Sequence, residues 1–380
     1  MVNKEQEISE EKAMKTMRRV LSLLLVLMMT ASIAACGNTT ETKATTTADV
    51  AAETTKAITT DATAAGNTDK TYNIVYIPKS IHEFYNLVKE GVDKGITELE
   101  AKGVKVNLTW SASQKADPAA QADLLEAAIA TKPDAIAIAV IDGDLCKDLM
   151  QKAIDQGIVV IGFDTDFTGS PRQACVGAGM DNQYKCGQQM ADMIVEAMGT
   201  DTAKIALLTG SPSAENHKII VQGFQDRVKE AYPNLNIVST QADNDSLETA
   251  TSITESIFSQ YPDIKGIVGV TSSDGLGAAK AYQTAVASGQ FKVGDVKIID
   301  KTLTAEKRDD MIPNGFEYGV MDCPPVMIGY YSIMMLNAYL TDGTAFQDVY
   351  LPYEKVTAEN VTTFTTDYQA AAADMEYWNK

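Results

Sequence analysis

Ala135-Ile136-Ala137-Ile138-Ala139-Val140 and Ile158-Val159-Val160-Ile161-Gly162-Phe163 are two nearly unbroken apolar runs, separated by the stretch Gly143–Gln156. A short run without polar alternation is a strand buried on both faces, and a helix between two such strands makes them parallel neighbours. Upstream the same alternation holds. Tyr72–Ile77 reads as a strand. Glu83–Lys102 reads as a helix, with Phe84, Leu87, Val88, Gly91, Val92, Ile96 and Leu99 at the 3.6-residue period. Val104–Thr109 is a strand and Pro118–Thr131 a helix opened by Asp117-Pro118.

Downstream the pattern starts again. Helices are expected over Asp181–Met198, Ala214–Ala231, Ser246–Tyr261 and Asp274–Ser288, alternating with strands Lys204–Thr209, Asn236–Thr240 and Gly266–Val270. Val296–Ile299 and Gly319–Met321 supply late strands, and Pro324–Leu340 a long final helix. Two successive βα arrays of this length predict an α/β protein of two doubly wound parallel-sheet lobes.

Parallel sheets bind ligands at the carboxyl ends of their strands, so the residues after each strand are the candidate site. After the first come Lys79, His82, Phe84 and Tyr85, after the second Trp110, after the third Asp142, and after the fourth Asp164 and Asp166. The second array adds Asn216 and His217, then Asn244 and Asp245, Ser273 and Asp274, Asp300 and Lys301, and finally Asp322. Both histidines of the chain and one of its two tryptophans fall at these positions. Asp142, Asp245 and Asp274 equally suit helix caps. Lys79 and His82 precede a helix N-terminus, where the dipole disfavours a cation, and this points to a ligand role.

Residues before Tyr72 read differently. Lys15, Arg18 and Arg19 precede an apolar run over Leu21–Thr30, which Ile33-Ala34-Ala35-Cys36-Gly37 closes. A basic segment, a short apolar core and small residues at the cut describe a secretory signal; the run falls short of the ~20 residues of a membrane span. Residues 37–71 are Thr and Ala with scattered charges, too poor in large apolar side chains to fold, and read as a flexible tether. The formal net charge is −19; removing 1–35 takes away five basic and four acidic side chains, leaving the mature chain near −20. Such a balance excludes nucleic acid as a partner. Cys146, Cys175, Cys186 and Cys323 match no metal spacing, and their pairing is not readable from sequence.

The stretch ending at Cys36 resembles a bacterial lipobox, which implies acylation of Cys36 and an extracytoplasmic protein tethered to the cell membrane. The body resembles the type I periplasmic-binding-protein fold, in the branch of ribose-, rhamnose- and autoinducer-2-binding proteins. The residues that carry the resemblance are Ile77-Pro78-Lys79-Ser80 with Phe84-Tyr85, Asp142-Gly143-Asp144-Leu145-Cys146, Phe163-Asp164-Thr165-Asp166, Ser211-Pro212 with Asn216-His217, and Gly319-Val320-Met321-Asp322. The resemblance implies two lobes joined by a three-crossing hinge, here 72–180 with 323–345 and 181–322 with 346–366, followed by a tail at 367–380. It implies that Phe84 and Tyr85 sandwich a sugar whose hydroxyls meet Asp164 and Asp322. Thr165 stands where ribose binders carry arginine and Lys301 where they carry aspartate, departures that point away from ribose itself. Lys79 and Asn216-His217 sit where the autoinducer-2 group has polar contacts.

The expected function is a monomeric solute-binding lipoprotein that delivers a monosaccharide or sugar-like ligand to the permease and ATPase subunits of an ABC importer. The alternatives are a sensor that docks on a receptor kinase or chemoreceptor and a carbohydrate-active enzyme using Asp164 and Asp322 as a carboxylate pair. No nucleophile elbow or phosphate loop supports the enzyme, and no cofactor or metal is expected.

Overall fold

A computed structural model describes residues 70–364. The signal segment 1–35, the tether except its last two residues, Cys36 and the tail 367–380 lie outside the described residues. The first array runs β1 (Thr71–Ile77), α1 (Glu83–Ala101), β2 (Lys105–Trp110), α2 (Pro118–Ala130), β3 (Ala135–Ile138), α3 (Gly143–Asp155), β4 (Val159–Asp164) and β5 (Ala174–Gly177). The second runs α4 (Met180–Met198), β6 (Lys204–Thr209), α5 (Glu215–Ala231), β7 (Asn236–Ala242), α6 (Leu247–Gln260), β8 (Gly266–Gly269), α7 (Ser272–Ala287), β9 (Lys297–Lys301) and β10 (Gly319–Asp322). Helix α8 (Pro325–Asp342) and the short strands β11 (Val349–Tyr350) and β12 (Glu354–Thr357) follow.

The strands form two six-stranded sheets, ordered β11-β5-β4-β3-β1-β2 and β12-β10-β9-β8-β6-β7. All neighbours are parallel except β10 and β12. Both faces of each sheet are covered, as the apolar strands require. Ile74 and Tyr76 of β1 pack on one side with α1 and α8, while Val75 and Ile77 pack on the other with α2 and α3. The fold is thus the doubly wound two-lobe α/β arrangement that the alternation predicts.

The start signals act as expected. Asp117 Oδ1 accepts from the N–H groups of Ala119 and Ala120, at 2.9 and 3.0 Å, with Pro118 at the first helical position. Helix pairs in both lobes meet through glycine. A Cβ on Gly91 would stand 1.9 Å from the Val326 carbonyl, and one on Gly329 equally close to that of Val88. Gly187 and Gly223 play the same part between α4 and α5. At such approaches even a methyl forces the backbones apart.

The chain crosses between sheets three times: between β5 and α4, between β10 and α8, and between β11 and β12. The third crossing falls later than the expected 345/346 division, because Val349 and Tyr350 still pair with Val176 and Gly177 of β5. Residues 346–350 therefore stay with the first sheet. The sequence pattern predicts none of β5, β11 and β12, and α7 begins at Ser272 rather than Asp274. No helix among the described residues is long and apolar enough to cross a membrane.

Candidate functional site

The carboxyl ends of the two sheets face one another across a closed cleft. Lys79, His82, Phe84, Tyr85, Asp164, Asn216, His217 and Lys301 line one cavity there, together with Asp245, Val270, Thr271, Ser272 and Thr302. In this closed arrangement its free volume is about 30 Å³.

The β1–α1 connection brings the first cation. Lys79 is buried, its Nζ donates to Asn216 Oδ1 of the other lobe at 3.0 Å, and it lies 3.6 Å from Asp164 Oδ2. Burial pushes the Lys79 ammonium down, and Asp164 and Asp245 oppose that shift. Asp164 Oδ2 also accepts from the Tyr85 hydroxyl at 2.7 Å and from Thr165 Oγ1 at 3.0 Å. Tyr85 is held edge-on to Phe84 and Phe163, with ring centroids 5.0 and 6.1 Å apart.

Both histidines have assignable tautomers. His82 caps α1: its Nδ1 accepts from the Phe84 N–H at 3.1 Å, so the proton sits on Nε2, 2.6 Å from Ser273 Oγ across the cleft. Ser273 Oγ in turn donates to the Asp245 carbonyl at 3.4 Å. His217 Nδ1 lies 3.1 Å from the Ser211 carbonyl and must donate to it, leaving Nε2 as an acceptor. Burial first, then Lys79 and Lys301, hold His217 well below the usual imidazole range. Burial also lowers His82, with Asp245 opposing and Lys79 assisting. Both rings are neutral hydrogen-bonding groups.

Backbone geometry marks the same place. Five non-glycine residues among those described have positive φ; Asp164, Asp245 and Thr302 line the cavity, and Asn244 adjoins Asp245. Such conformations cost free energy and gather at functional sites. Gly210 makes room here, since a Cβ on it would stand 2.2 Å from Asp245 Oδ1 and 2.7 Å from His217 Cε1.

The remaining sequence candidates sit elsewhere. Ser273 does not line the cavity but touches two residues that do, His82 and Asp245. Trp110 stacks on Tyr76 at 5.5 Å and packs against the first-lobe core. Asp166 pairs with Arg172 at 2.6 Å in a hinge-side cavity that Tyr350 also lines. Asn244 is part of the turn but not of the cavity wall. Asp274 is fully buried, where it accepts from the N–H groups of Val270 and Thr271 at 2.9 and 3.0 Å and shares a capping box with Thr271. Asp322 accepts from the Leu303 N–H at 2.9 Å, and burial pushes its carboxyl up to about 6; it does not line the cavity. Asp245, which sequence offers equally as a cap, lines the cavity, whereas Thr271, Ser272 and Thr302 line it without being strand-end candidates, although each lies within two residues of one.

The arrangement sets two carboxylates, two ammonium groups, an amide, a bare imidazole nitrogen and two aromatic rings around one small space. It suits a polyhydroxylated ring, whose hydroxyls donate to carboxylates and accept from cations while an apolar face meets an aromatic. Among the described residues no group of three or more His, Cys, Asp or Glu is placed to hold a metal ion.

Residues 74–345 match the family described as periplasmic binding protein domain. The chain belongs to the periplasmic binding protein family. The binding protein is 27% identical over 209 residues to the D-ribose/D-allose-binding protein of Pseudomonas aeruginosa, a match covering 54% of this chain and 61% of that one. It thus spans about three fifths of the length of that relative. The xylose/arabinose-binding protein of Sulfolobus acidocaldarius is 22% identical over 290 residues, covering 72% of this chain and 67% of that protein. Among solved structures, an ABC transporter solute binding protein from Burkholderia graminis C4D1M, in complex with D-arabinose, superposes with a TM-score of 0.70 at 25% identity, covering 78% of this chain and 98% of that one.

The burial of both histidines predicts a pH response. Their closed-state pKa values lie below the ordinary 6.5, so the closed form is favoured above that pH and penalised as pH falls beneath it. Each histidine contributes at most about 1.4 kcal/mol per pH unit. Small-angle scattering between pH 7.5 and 5 should show the closed population falling with acidity; an unchanged or rising one would contradict the assignment.

Proposed function

We propose that the protein captures a monosaccharide or sugar-like ligand between its lobes and delivers it to the permease and ATPase subunits of an ABC importer. The observation that carries this reading is the cavity itself, which lies at the strand ends of both sheets and offers carboxylates, cations, an amide and aromatics from the two lobes together. The free volume has room for roughly two water molecules, so a ring is admitted only when the lobes part and the Lys79–Asn216 and His82–Ser273 bonds yield. Closing on the ligand replaces those bonds with contacts to its hydroxyls, and each hydroxyl left without a partner costs roughly 1–3 kcal/mol. The names of the relatives, for ribose, allose, xylose and arabinose, support a sugar of five or six carbons. The reading makes the protein a carrier rather than a catalyst: Asp322, the one carboxylate that sequence offered as a partner for Asp164, accepts from the Leu303 N–H and does not line the cavity.

Delivery to a membrane transporter is consistent with a tether. We place the anchor at Cys36, on the strength of Ile33-Ala34-Ala35-Cys36 after a basic and then an apolar segment. Two acyl chains hold a protein at a bilayer where one does so only marginally. Cys36→Ser should move the full-length protein from the membrane to the soluble fraction; retention of the variant on membranes would refute the anchor.

A thermal-shift screen of the soluble body against pentoses, deoxyhexoses, hexoses and autoinducer-2 identifies the ligand, because a ligand that binds only the native state raises its melting temperature. With that ligand, Asp164→Ala should weaken binding about ten- to a hundredfold by calorimetry, the worth of a charge-assisted bond of roughly 1.5–3 kcal/mol. Binding within a factor of two of wild type would remove Asp164 from the site. A screen in which no saccharide binds would remove the function.

A further inference from the structure

Behind the second-lobe wall of the cavity, Lys307 is fully buried on a single π-helical turn, Lys307–Met311. Its Nζ meets the Asp300 carboxylate and donates to the carbonyls of Lys301 and Thr302, at 3.0 and 3.1 Å. Lys301 and Thr302 both line the cavity, whereas Lys307 does not. In extended chain, successive carbonyls point to opposite sides. One ammonium can collect two in a row only where the backbone between them curls, and Thr302 does so with φ +71°. A β-branched residue in the left-handed region is strained and needs a restraint.

The restraint is an ion pair of Lys307 with Asp300, set among further buried acid groups. Asp300 Oδ1 and both carboxylate oxygens of Glu317 are buried without a hydrogen-bond donor. Burial and then the neighbouring Glu317 push the Asp300 carboxyl up, and Lys307 opposes that shift. The cluster is also locked against α7, because a Cβ on Gly275 would stand 2.2 Å from Asp300 Oδ2.

We propose that Lys307 is a positioning residue for the ligand cavity: by gathering the carbonyls of Lys301 and Thr302 it imposes the left-handed turn that presents both residues to the ligand. The ligand's identity rests on the sugar-capture reading; the clamp does not.

The test is a double-mutant cycle between Lys307→Met and Thr302→Gly. In ligand-free protein, Thr302→Gly should raise the melting temperature by about 1–2 °C in the wild-type background, where it relieves the strain. It should give no rise beside Lys307→Met, where the turn has already relaxed. For the sugar found in the screen, Lys307→Met should cost at least about tenfold in affinity with Thr302 present, and markedly less in the Thr302→Gly background, since glycine adopts the turn unaided. Equal melting shifts in both backgrounds, or wild-type affinity in Lys307→Met, would overturn the clamp. If Lys307→Met does not fold, the charge-balanced variant Asp300→Asn/Lys307→Met takes its place in both measurements. If no saccharide binds wild type, the sugar reading fails while the melting cycle still decides the clamp.

Discussion

A buried ammonium must find partners, and Lys79 finds them on both sides of the cleft: Asp164 at 3.6 Å within its own lobe and Asn216 at 3.0 Å from the other. Neither lobe alone satisfies it. Opening the cleft therefore breaks a charge-assisted bond and returns water to the site, while closing it demands that every polar group around Lys79 be matched. The second cross-cleft bond, from His82 to Ser273, depends on the same closure and on a neutral ring. A ligand competes for these groups, so occupancy and closure are linked through the partners of one side chain.

The fold supplies that arrangement by ending its strands in irregular backbone. A parallel strand delivers its last side chain to the sheet edge, but a regular continuation would carry the next residues away from the cleft. Left-handed residues at Asp164, Asp245 and Thr302 turn the chain so that neighbouring groups share one space. The second lobe backs two of these turns with buried acids. Asp243 Oδ1 accepts from the Asp245 N–H at 2.8 Å, and Asp300 balances the lysine that holds Thr302. The first lobe turns on packing instead, with Tyr85 donating to Asp164 from a ring wedged between Phe84 and Phe163. Rigid sheets thus hold strained turns at the point where a ligand is met.

Much of this was legible in the residues. Runs such as Ala135–Val140 announce buried parallel strands because they are wholly apolar and too short for a helix, and the rule that ligands gather at strand ends reached nine of the residues that line the cavity. The failures have physical causes. Ala174–Gly177 and Val349–Tyr350 are too short to carry a period, so β5 and β11 exist only through their pairing. Trp110 follows a strand but turns to the Tyr76 ring, and Asp166 is claimed by Arg172 six residues later, a contact that a linear list of strand ends does not reveal. Asp274 and Asp245, each open to both readings in the sequence, divide the roles: the carboxylate inside the helix turn does the capping, and the one in the loop faces the cavity. Lys307 lay beyond any strand-end rule, because it acts on backbone carbonyls from behind the wall.

The most direct test of the central claim is a crystal structure of the soluble body grown with the saccharide that gives the largest thermal shift. The account predicts the ring between the lobes, with its hydroxyls within hydrogen-bond distance of Asp164, His217 Nε2 and Lys301 and one face against Phe84 or Tyr85. A saccharide seated outside this cavity, or bound to one lobe with the cleft left open, would contradict it.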